Sequence, residues 1–233
     1  MARISPLRLL PALAGLALAT PARAETAFEG EIDLLEVHLG RGDDHLVLDS
    51  TFTIGGDANR FVLKLEGGSD TRTAFDDFGV QALYARQLGE AVTVSAGIRH
   101  DFRQGSDLAH AALAVEAELP GGFAVEHFAC VSQHGDVTGA AQIMLGAQVA
   151  SGLTLEPRFG FGWAARDIPR EALASGFTDI EASARLRQRI SDNLDVYVGV
   201  IHERLLGDTR AIARDAGDPS RVTRAVIGAG ASF

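Results

Sequence analysis

The chain has 233 residues, of which 46% are hydrophobic and 22% are charged, a balance that fits a folded or membrane-embedded domain and excludes an intrinsically disordered chain. Its formal charge of −10 argues against nucleic acid as a partner, because phosphate contacts need clustered Lys and Arg. The single cysteine, Cys130, excludes an intrachain disulfide.

The first 24 residues have the pattern of a secretory signal peptide. Arg3 and Arg8 precede a short apolar stretch, and the run Ala22-Arg23-Ala24 supplies small residues around a cleavage site. The apolar stretch is too short for a permanent transmembrane helix, although a retained amphipathic anchor is an alternative. Cleavage predicts a single mature domain of residues 25–233, with a formal charge of 18 − 31 = −13.

From Phe28 onward, hydrophobic residues recur at every second position rather than every 3.6 positions. In residues 92–99, Val, Val, Ala and Ile alternate with Thr, Ser, Gly and Arg. This alternation gives a strand one apolar and one polar face. No mature segment reaches about 18 continuous apolar residues, so no transmembrane helix is predicted. The predicted strands lie near residues 28–38, 45–54, 60–67, 77–88, 91–103, 108–119, 123–132, 137–149, 153–165, 177–190, 194–205 and 221–233.

The predicted connections alternate in length. Links such as 89–90 and 151–152 are short and rich in turn residues, whereas 68–76, 166–176 and 206–220 are longer and charged. Short periplasmic turns and longer outer loops are typical of bacterial outer-membrane barrels. The sequence therefore predicts an all-β fold, a transmembrane antiparallel β-barrel of about 12 strands. The alternative is a soluble β-sandwich, whose polar faces meet water.

Several short motifs follow one another along the mature chain. They are RGDD at 41–44, LKLEG at 63–67, VQALYAR at 80–86, GIRHDFR at 97–103, VSQHGD at 131–136, LEPR at 155–158, FTDIE at 177–181, RLR at 185–187 and HER at 202–204. In this order and spacing, the chain from about residue 28 to residue 233 resembles the copper resistance protein B family of outer-membrane proteins.

The resemblance implies an outer-membrane barrel in a Gram-negative bacterium that binds copper ions and contributes to copper homeostasis. It also implies outer-membrane lipid and a periplasmic copper oxidase as partners, and a C-terminal aromatic residue, here Phe233, as an insertion signal. One departure concerns the Met- and His-rich segment that usually precedes the family's barrel. This sequence lacks that segment, and only Met144 remains after the predicted cleavage. The soft thioether ligands that select Cu(I) are therefore not expected there.

If the apolar faces meet lipid, the polar faces line a lumen, where charges of both signs are expected to pair and fill the space. A functional interpretation is a copper site built from Glu66, Asp101, His110 and Glu203, whose oxygen and imidazole ligands suit Cu(II), with Met144 as an isolated thioether. Asp101 and Glu203 are expected near the outer strand ends, which would allow them to converge. The other predicted lumen residues are Lys64, Arg99, Glu116, Glu118, Glu126, Glu156, Arg158, Asp179, Glu181, Arg185 and Arg187.

Four other histidines are interpreted differently. His100 and His202 stand on the lipid-facing set near the outer rim, where the resembled family tends to have aromatic residues, so we interpret them as interfacial substitutes. His45 and His134 lie beside acidic residues in outer loops and are interpreted as solvated.

No enzyme motif was found: no Gly-x-Ser-x-Gly, His-Glu-x-x-His, phosphate loop or cysteine pair. The favoured hypothesis is a monomeric, non-enzymatic barrel that binds copper or passes it across the outer membrane. The alternative is a narrow outer-membrane pore or structural barrel without metal function. A third hypothesis, an enzyme at the rim, lacks support because His100 and Asp101 are adjacent and point to opposite faces.

Overall fold

The computed structural model describes residues 27–40, 45–69, 77–103 and 106–233. The predicted signal peptide and the RGDD motif lie outside these residues. The strands are β1 Ala27–Gly40, β2 His45–Gly55, β3 Asn59–Ser69, β4 Asp77–Leu88, β5 Val92–Phe102, β6 Leu108–Leu119, β7 Phe123–Ser132, β8 Val137–Leu145, β9 Ala147–Ala150, β10 Leu153–Ala164, β11 Gly176–Ser191, β12 Leu194–Leu205 and β13 Arg221–Ser232.

The strands close into one antiparallel barrel. Each strand pairs with its neighbour along the chain, and β1 also pairs with β13. The C-terminus completes this seam, because Phe233 N–H donates to Gly30 O at 2.9 Å and Gly30 N–H donates to Phe233 O at 2.7 Å. β8 and β9 pair with different parts of β10, so together they act as one strand of the barrel that is interrupted at Gly146. The predicted 12-stranded barrel is therefore confirmed.

The polarity of the wall is opposite to that of a soluble protein. Large apolar side chains such as Phe61 and Ile98 are exposed on the exterior, at 64% and 66%. Charged and polar side chains are buried inside, including Glu36, Arg185 and Gln81. A closed sheet satisfies its own backbone hydrogen bonds, so this exterior suits hydrocarbon rather than water. The soluble sandwich alternative is wrong for this reason.

The two ends of the barrel differ, as the connection lengths predicted. At one end, hereafter the turn end, short turns join β2 to β3, β4 to β5, β6 to β7, β9 to β10 and β11 to β12. The opposite end, hereafter the loop end, carries longer segments that the sequence did not predict to be ordered. A 3-10 helix, Pro169–Glu171, follows β10, and the helix α1, Gly207–Ala216, follows β12. Among the described residues, no helix has the length and hydropathy needed to cross a membrane.

One irregularity in β1 changes which residues face the lumen. The pairing with β2 shifts register between Ile32 and Leu34. Before the bulge the even-numbered Phe28 is exposed on the exterior, whereas after it the even-numbered Glu36 and His38 are buried inside. A β-bulge adds one residue to a strand and so reverses the alternation beyond it. The bulge therefore delivers a carboxylate and an imidazole to the interior.

Candidate functional site

A cavity of about 350 Å³ opens in the lumen near the loop end. The barrel wall contributes Asp101, His110 and Cys130 to its lining, and the segment between β10 and β11 contributes Ile168 and Leu173. This cavity is hereafter the capped chamber. It brings charged, imidazole and thiol groups together under an apolar cover.

A chain of contacts orients the histidine of the capped chamber. Arg99 Nε donates to Asp101 Oδ1 at 2.7 Å, and Asp101 Oδ2 lies 3.0 Å from His110 Nε2. This hydrogen bond assigns the imidazole proton to Nε2, since an ionised carboxylate only accepts. His110 Nδ1 is buried and has no hydrogen-bond partner. A carboxylate behind one ring nitrogen and a free lone pair on the other is the arrangement of metal-binding histidines.

The backbone explains how Glu66 joins this group. Glu66 pairs with Gly79 across β3 and β4, and Gly79 pairs with Asp101 across β4 and β5. Because Gly79 has no side chain, Arg99 passes over it and donates through Nη1 to Glu66 Oε2 at 2.8 Å. A Cβ at Gly79 would lie only 3.2 Å from Arg99 Nη2. Glu66, Asp101 and His110 therefore form one connected cluster with Arg99 at its centre.

The segment of residues 165–175, hereafter the strap, covers the capped chamber. Arg103, just after β5, donates to Glu171 at 2.6 Å and 3.3 Å. At the β7–β8 turn, Asp136 accepts from Arg166 at 2.6 Å and forms an ion pair with Arg170 at 2.7 Å. The Arg166 and Arg170 guanidinium groups hold the pKa of the Asp136 carboxyl below its usual value.

The apolar part of the strap lies beneath these ion pairs. Ile168 is almost fully buried, and the N–H of the buried Ala174 donates to Thr209 Oγ1 of α1 at 2.9 Å. The strap is thus attached to three other connections of the loop end, those between β5 and β6, β7 and β8, and β12 and β13. The strap therefore lies over the capped chamber on its loop-end side.

A second cavity, of about 460 Å³, lies on the other side of the lumen and is hereafter the open chamber. Its lining includes His38, Glu181 and Glu203. Asp179 lines both chambers and accepts from Thr178 Oγ1 at 2.7 Å. The two chambers are therefore neighbours within one lumen.

The turn end is filled by interlocked ion pairs. Arg187 contacts Asp33 at 3.1 Å, Glu156 at 3.4 Å and Asp195 at 2.9 Å, and Arg158 contacts both Asp33 and Glu156. On another part of the wall, Lys64 contacts Glu116 at 3.2 Å and also Glu126. The predicted network of mixed charges is present, and each of these groups contacts at least one group of opposite charge.

The five predicted copper ligands lie in three places. Glu66, Asp101 and His110 share the cluster around Arg99. Glu203 lines the open chamber and accepts from Arg224 at 2.7 Å, so the expected convergence with Asp101 does not occur. Met144 lines a separate cavity at the turn end. In the described ranges, no group of three or more His, Cys, Asp or Glu side chains is arranged to hold a metal ion.

Several lumen residues were missed from the sequence, among them Cys130 and His38. Cys130 follows the alternation of Glu126 and Phe128 on β7, so its lumen position was accessible to the same reasoning. His38 was not, because the β1 bulge reverses the alternation before it. All seven histidines are in the described residues, and all but His127 lie at or near the loop end.

Comparison of the sequence with known protein families finds one that spans the whole described part of the chain. The profile described as copper resistance protein B precursor matches residues 26–233. A copper resistance protein B homolog from Pseudomonas syringae pv. tomato is 28% identical over 84% of this chain and 66% of its own length. Copper resistance protein B from Escherichia coli is 30% identical over 71% of this chain and 55% of its own length. The chain thus spans only about half to two thirds of these relatives.

Solved structures agree on the fold. The KdgM porin superposes with a TM-score of 0.51 at 14% identity, covering 88% of this chain and 99% of the porin. The NanC porin gives 0.54 at 12% identity, covering 88% and 98%. An outer-membrane channel from Pseudomonas putida F1 gives 0.50 at 11% identity, covering 97% and 100%. At such low identities the solved structures show only a shared fold. The family profile, in contrast, matches the sequence over residues 26–233 and so covers every described residue. The chain belongs to the copper resistance protein B family.

Proposed function

We propose that this protein is an outer-membrane barrel that takes copper ions into its lumen from the loop end and thereby contributes to copper homeostasis. The apolar exterior and the alternating turns and loops support a membrane position, with the turn end on the periplasmic side. The family supports copper as the ion. A periplasmic copper oxidase, the partner that the resemblance implies, would then meet the turn end.

The observation that carries this proposal is the contact chain of Arg99, Asp101 and His110 in the capped chamber. The Nδ1 atom of His110 has no partner, and an imidazole nitrogen is a ligand that Cu(II) accepts. Carboxylate oxygens would complete the ligand set, and they also suit Cu(II). Glu66 is proposed to hold Arg99 and to supply a further carboxylate. A Cu(II) ion bound here would keep water in its remaining positions, because a third protein ligand is not in place.

Met144 and Glu203 are proposed to act away from this ion, because they line other cavities. Met144 lies with Glu116 and Glu118 in a cavity of about 330 Å³ at the turn end, where a thioether would contact copper leaving the lumen. Glu203 belongs to the open chamber. The barrel is proposed to bind and pass the ion as a monomer and without catalysing a reaction.

The test is a Cu(II) titration of the refolded mature barrel in detergent by calorimetry, with His110→Gln and Asp101→Asn as variants. We expect saturable binding at about micromolar Kd or tighter. His110→Gln removes the ligand, and Asp101→Asn is expected to weaken binding by about 10–100-fold, because outer-shell partners of ligating histidines have effects of that size. His134→Gln, an exposed histidine outside the chamber, serves as the control.

The alternative function, a narrow pore or structural barrel without metal binding, has one observation in its favour. The described residues contain no ready cluster of three metal ligands, and their charges at the turn end are paired with one another. If the wild-type barrel binds neither Cu(II) nor Cu(I), this alternative replaces the proposed function. If His110→Gln and His134→Gln bind Cu(II) alike, the proposed capped-chamber site is wrong.

A further inference from the structure

The open chamber contains a second histidine with a carboxylate behind it. His38 is 6% exposed, and its Nε2 lies 2.8 Å from Glu36 Oε2. Glu36 is fully buried and accepts from two nitrogens of Arg185, with Nη2 at 3.0 Å. Arg185, Glu36 and His38 therefore repeat, in another part of the wall, the order of groups formed by Arg99, Asp101 and His110.

This arrangement fixes which nitrogen of His38 is available. Glu36 is held as an acceptor by the Arg185 guanidinium, so the imidazole proton is assigned to Nε2. His38 Nδ1 then carries a lone pair, and no hydrogen bond or ion pair to another described residue engages it. A side chain that is more than nine-tenths buried, lines a cavity and leaves a ring nitrogen unpartnered is prepared to accept a ligand.

Two carboxylates lie close to this histidine. Glu181 and Glu203 stand directly opposite each other in the pairing of β11 with β12. Glu203 is paired with Arg224, whereas Glu181 has no hydrogen bond or ion pair within the described part of the chain. Glu181, Glu203 and His38 line the same chamber. Like charges directly opposite on neighbouring strands are destabilising, and a bound cation removes that repulsion.

The donor set indicates the chemical class of the ion. One imidazole nitrogen with carboxylate oxygens suits a divalent transition-metal ion such as Cu(II) or Zn(II), rather than Mg²⁺ or Ca²⁺, which prefer all-oxygen sites. The neighbouring His45 does not belong to the set. Its Nδ1 lies 2.9 Å from Ser69 O, and its Nε2 lies 2.7 Å from Arg224 Nη2.

We propose that His38, Glu181 and Glu203 form a second metal station, which binds a divalent transition-metal ion beside the capped chamber. This inference rests on the proposed function for the identity of the ion as copper, but its residues are separate from those of the first site. Asp179, which lines both chambers, lies between the two stations. Glu181 and Glu203 must rotate toward His38 on binding, since no three ligands are in place beforehand.

The test is a Cu(II) titration of the complete refolded barrel, followed by electron paramagnetic resonance, which detects nitrogen ligands. The wild type is expected to bind two equivalents, and His38→Gln and His110→Gln one equivalent each. The double variant is expected to bind none. In the His110→Gln background, Glu181→Gln is expected to weaken the remaining site by at least about tenfold, because it removes a ligand rather than an outer-shell partner.

The matched control is His202→Gln. His202 lies at the same end of the barrel but does not line the open chamber, and its Nδ1 lies 2.7 Å from Thr223 Oγ1. This variant is expected to bind two equivalents, like the wild type. Folding of every variant is checked by its heat-dependent mobility in gel electrophoresis. If His38→Gln does not fold, Glu181→Gln decides the question, because it leaves the contact between Glu36 and His38 intact.

The outcomes separate this inference from the proposed function. A wild type that binds one equivalent, lost entirely in His110→Gln, overturns the second station and leaves the first. A single equivalent that depends on His38 and is unaffected by His110→Gln supports the second station and overturns the first. Equal binding by His38→Gln, Glu181→Gln and the wild type overturns the second station. No binding by the wild type overturns both.

Discussion

The turn end and the loop end of the lumen both contain ion pairs, but the loop end adds histidines to them. At the turn end, each cation serves several acids: Arg187 contacts Asp33, Glu156 and Asp195. At the loop end, a cation holds a carboxylate, and that carboxylate holds a histidine, as in Arg99, Asp101 and His110. In the first arrangement every charged group contacts a group of opposite sign, whereas the second ends in a ring nitrogen without a partner.

This difference separates stabilising charges from charges that are able to bind. Buried ions that satisfy one another have no capacity left for a ligand, and removing one of them leaves its partners unpaired. A histidine oriented by a carboxylate contributes less to packing but presents a lone pair in a fixed direction. The comparison therefore predicts that stability depends mainly on the turn end and metal binding mainly on the loop end.

The largest expected effect on stability comes from Lys64→Met, which removes the cation of an ion-pair cluster that reaches the turn-end cavity through Glu116. Lys64 donates to Glu116 and Glu126 and lies 4.5 Å from the centre of the Phe128 ring. Met keeps the volume but removes the charge, which leaves two interior carboxylates without their cation. We expect the free energy of unfolding to fall by about 1.5–3 kcal/mol, the range for hydrogen bonds to charged groups. Urea unfolding in lipid vesicles measures this change.

The control for this variant is Arg189→Met, which removes an exposed charge from the turn end. Surface substitutions of this kind change stability by only about 0.5 kcal/mol. Equal unfolding midpoints for the two variants would show that the Lys64 network is not a stabilising element. Loss of Cu(II) binding in a folded Lys64→Met barrel would contradict the division of roles between the two ends.

Much of the fold was predictable because a barrel wall is built on a simple period. Residues 92–99 alternate without interruption, and their observed burial follows the alternation. The same rule placed Asp101 and His110 in the lumen near the loop end. The lengths of the connections also predicted which end of the barrel faces the periplasm, because short turns lie at one end and long loops at the other.

The second chamber was not predictable, because it depends on exceptions to that period. A strict alternation from Phe28 places His38 on the lipid face, and only the register shift after Ile32 turns it inward. The distance between Asp101 and Glu203 depends on where their strands lie around the closed wall. Both residues were correctly placed near strand ends, but strand order around a closed circle separates β5 from β12.

The strap offers a smaller effect that tests whether the capped chamber is closed. Glu171→Gln weakens the contact with Arg103, an ion pair of partly exposed side chains. Such pairs contribute up to about 1 kcal/mol, which corresponds to at most roughly fivefold more opening of the strap. Cys130 lines the chamber and is the only cysteine, so its rate of labelling by a small thiol reagent reports the opening. Glu118→Gln, at the turn end, should label at the wild-type rate.

The smallest expected effect is a pH-dependent loss of stability when Asp136, which binds Arg166 and Arg170 of the strap, loses its charge. Because Arg166 and Arg170 lower the pKa of Asp136 in the folded barrel, the folded state favours the ionised carboxylate. The resulting stabilisation is fully present above the unfolded-state pKa of about 3.9 and is lost as the pH falls through the lower, folded-state value. Asp136→Asn is therefore expected to unfold at lower urea than the wild type at neutral pH.

The two unfolding midpoints should then converge as the pH falls below about 4. Comparing the two proteins at each pH cancels the titration of carboxylates that they share. Asp192→Asn, an exposed turn-end residue, should match the wild type throughout. A gap between Asp136→Asn and the wild type that persists unchanged at pH 3 would mean that Asp136 supports the β7–β8 turn through its hydrogen bonds with Ser132, and not the strap through its charge.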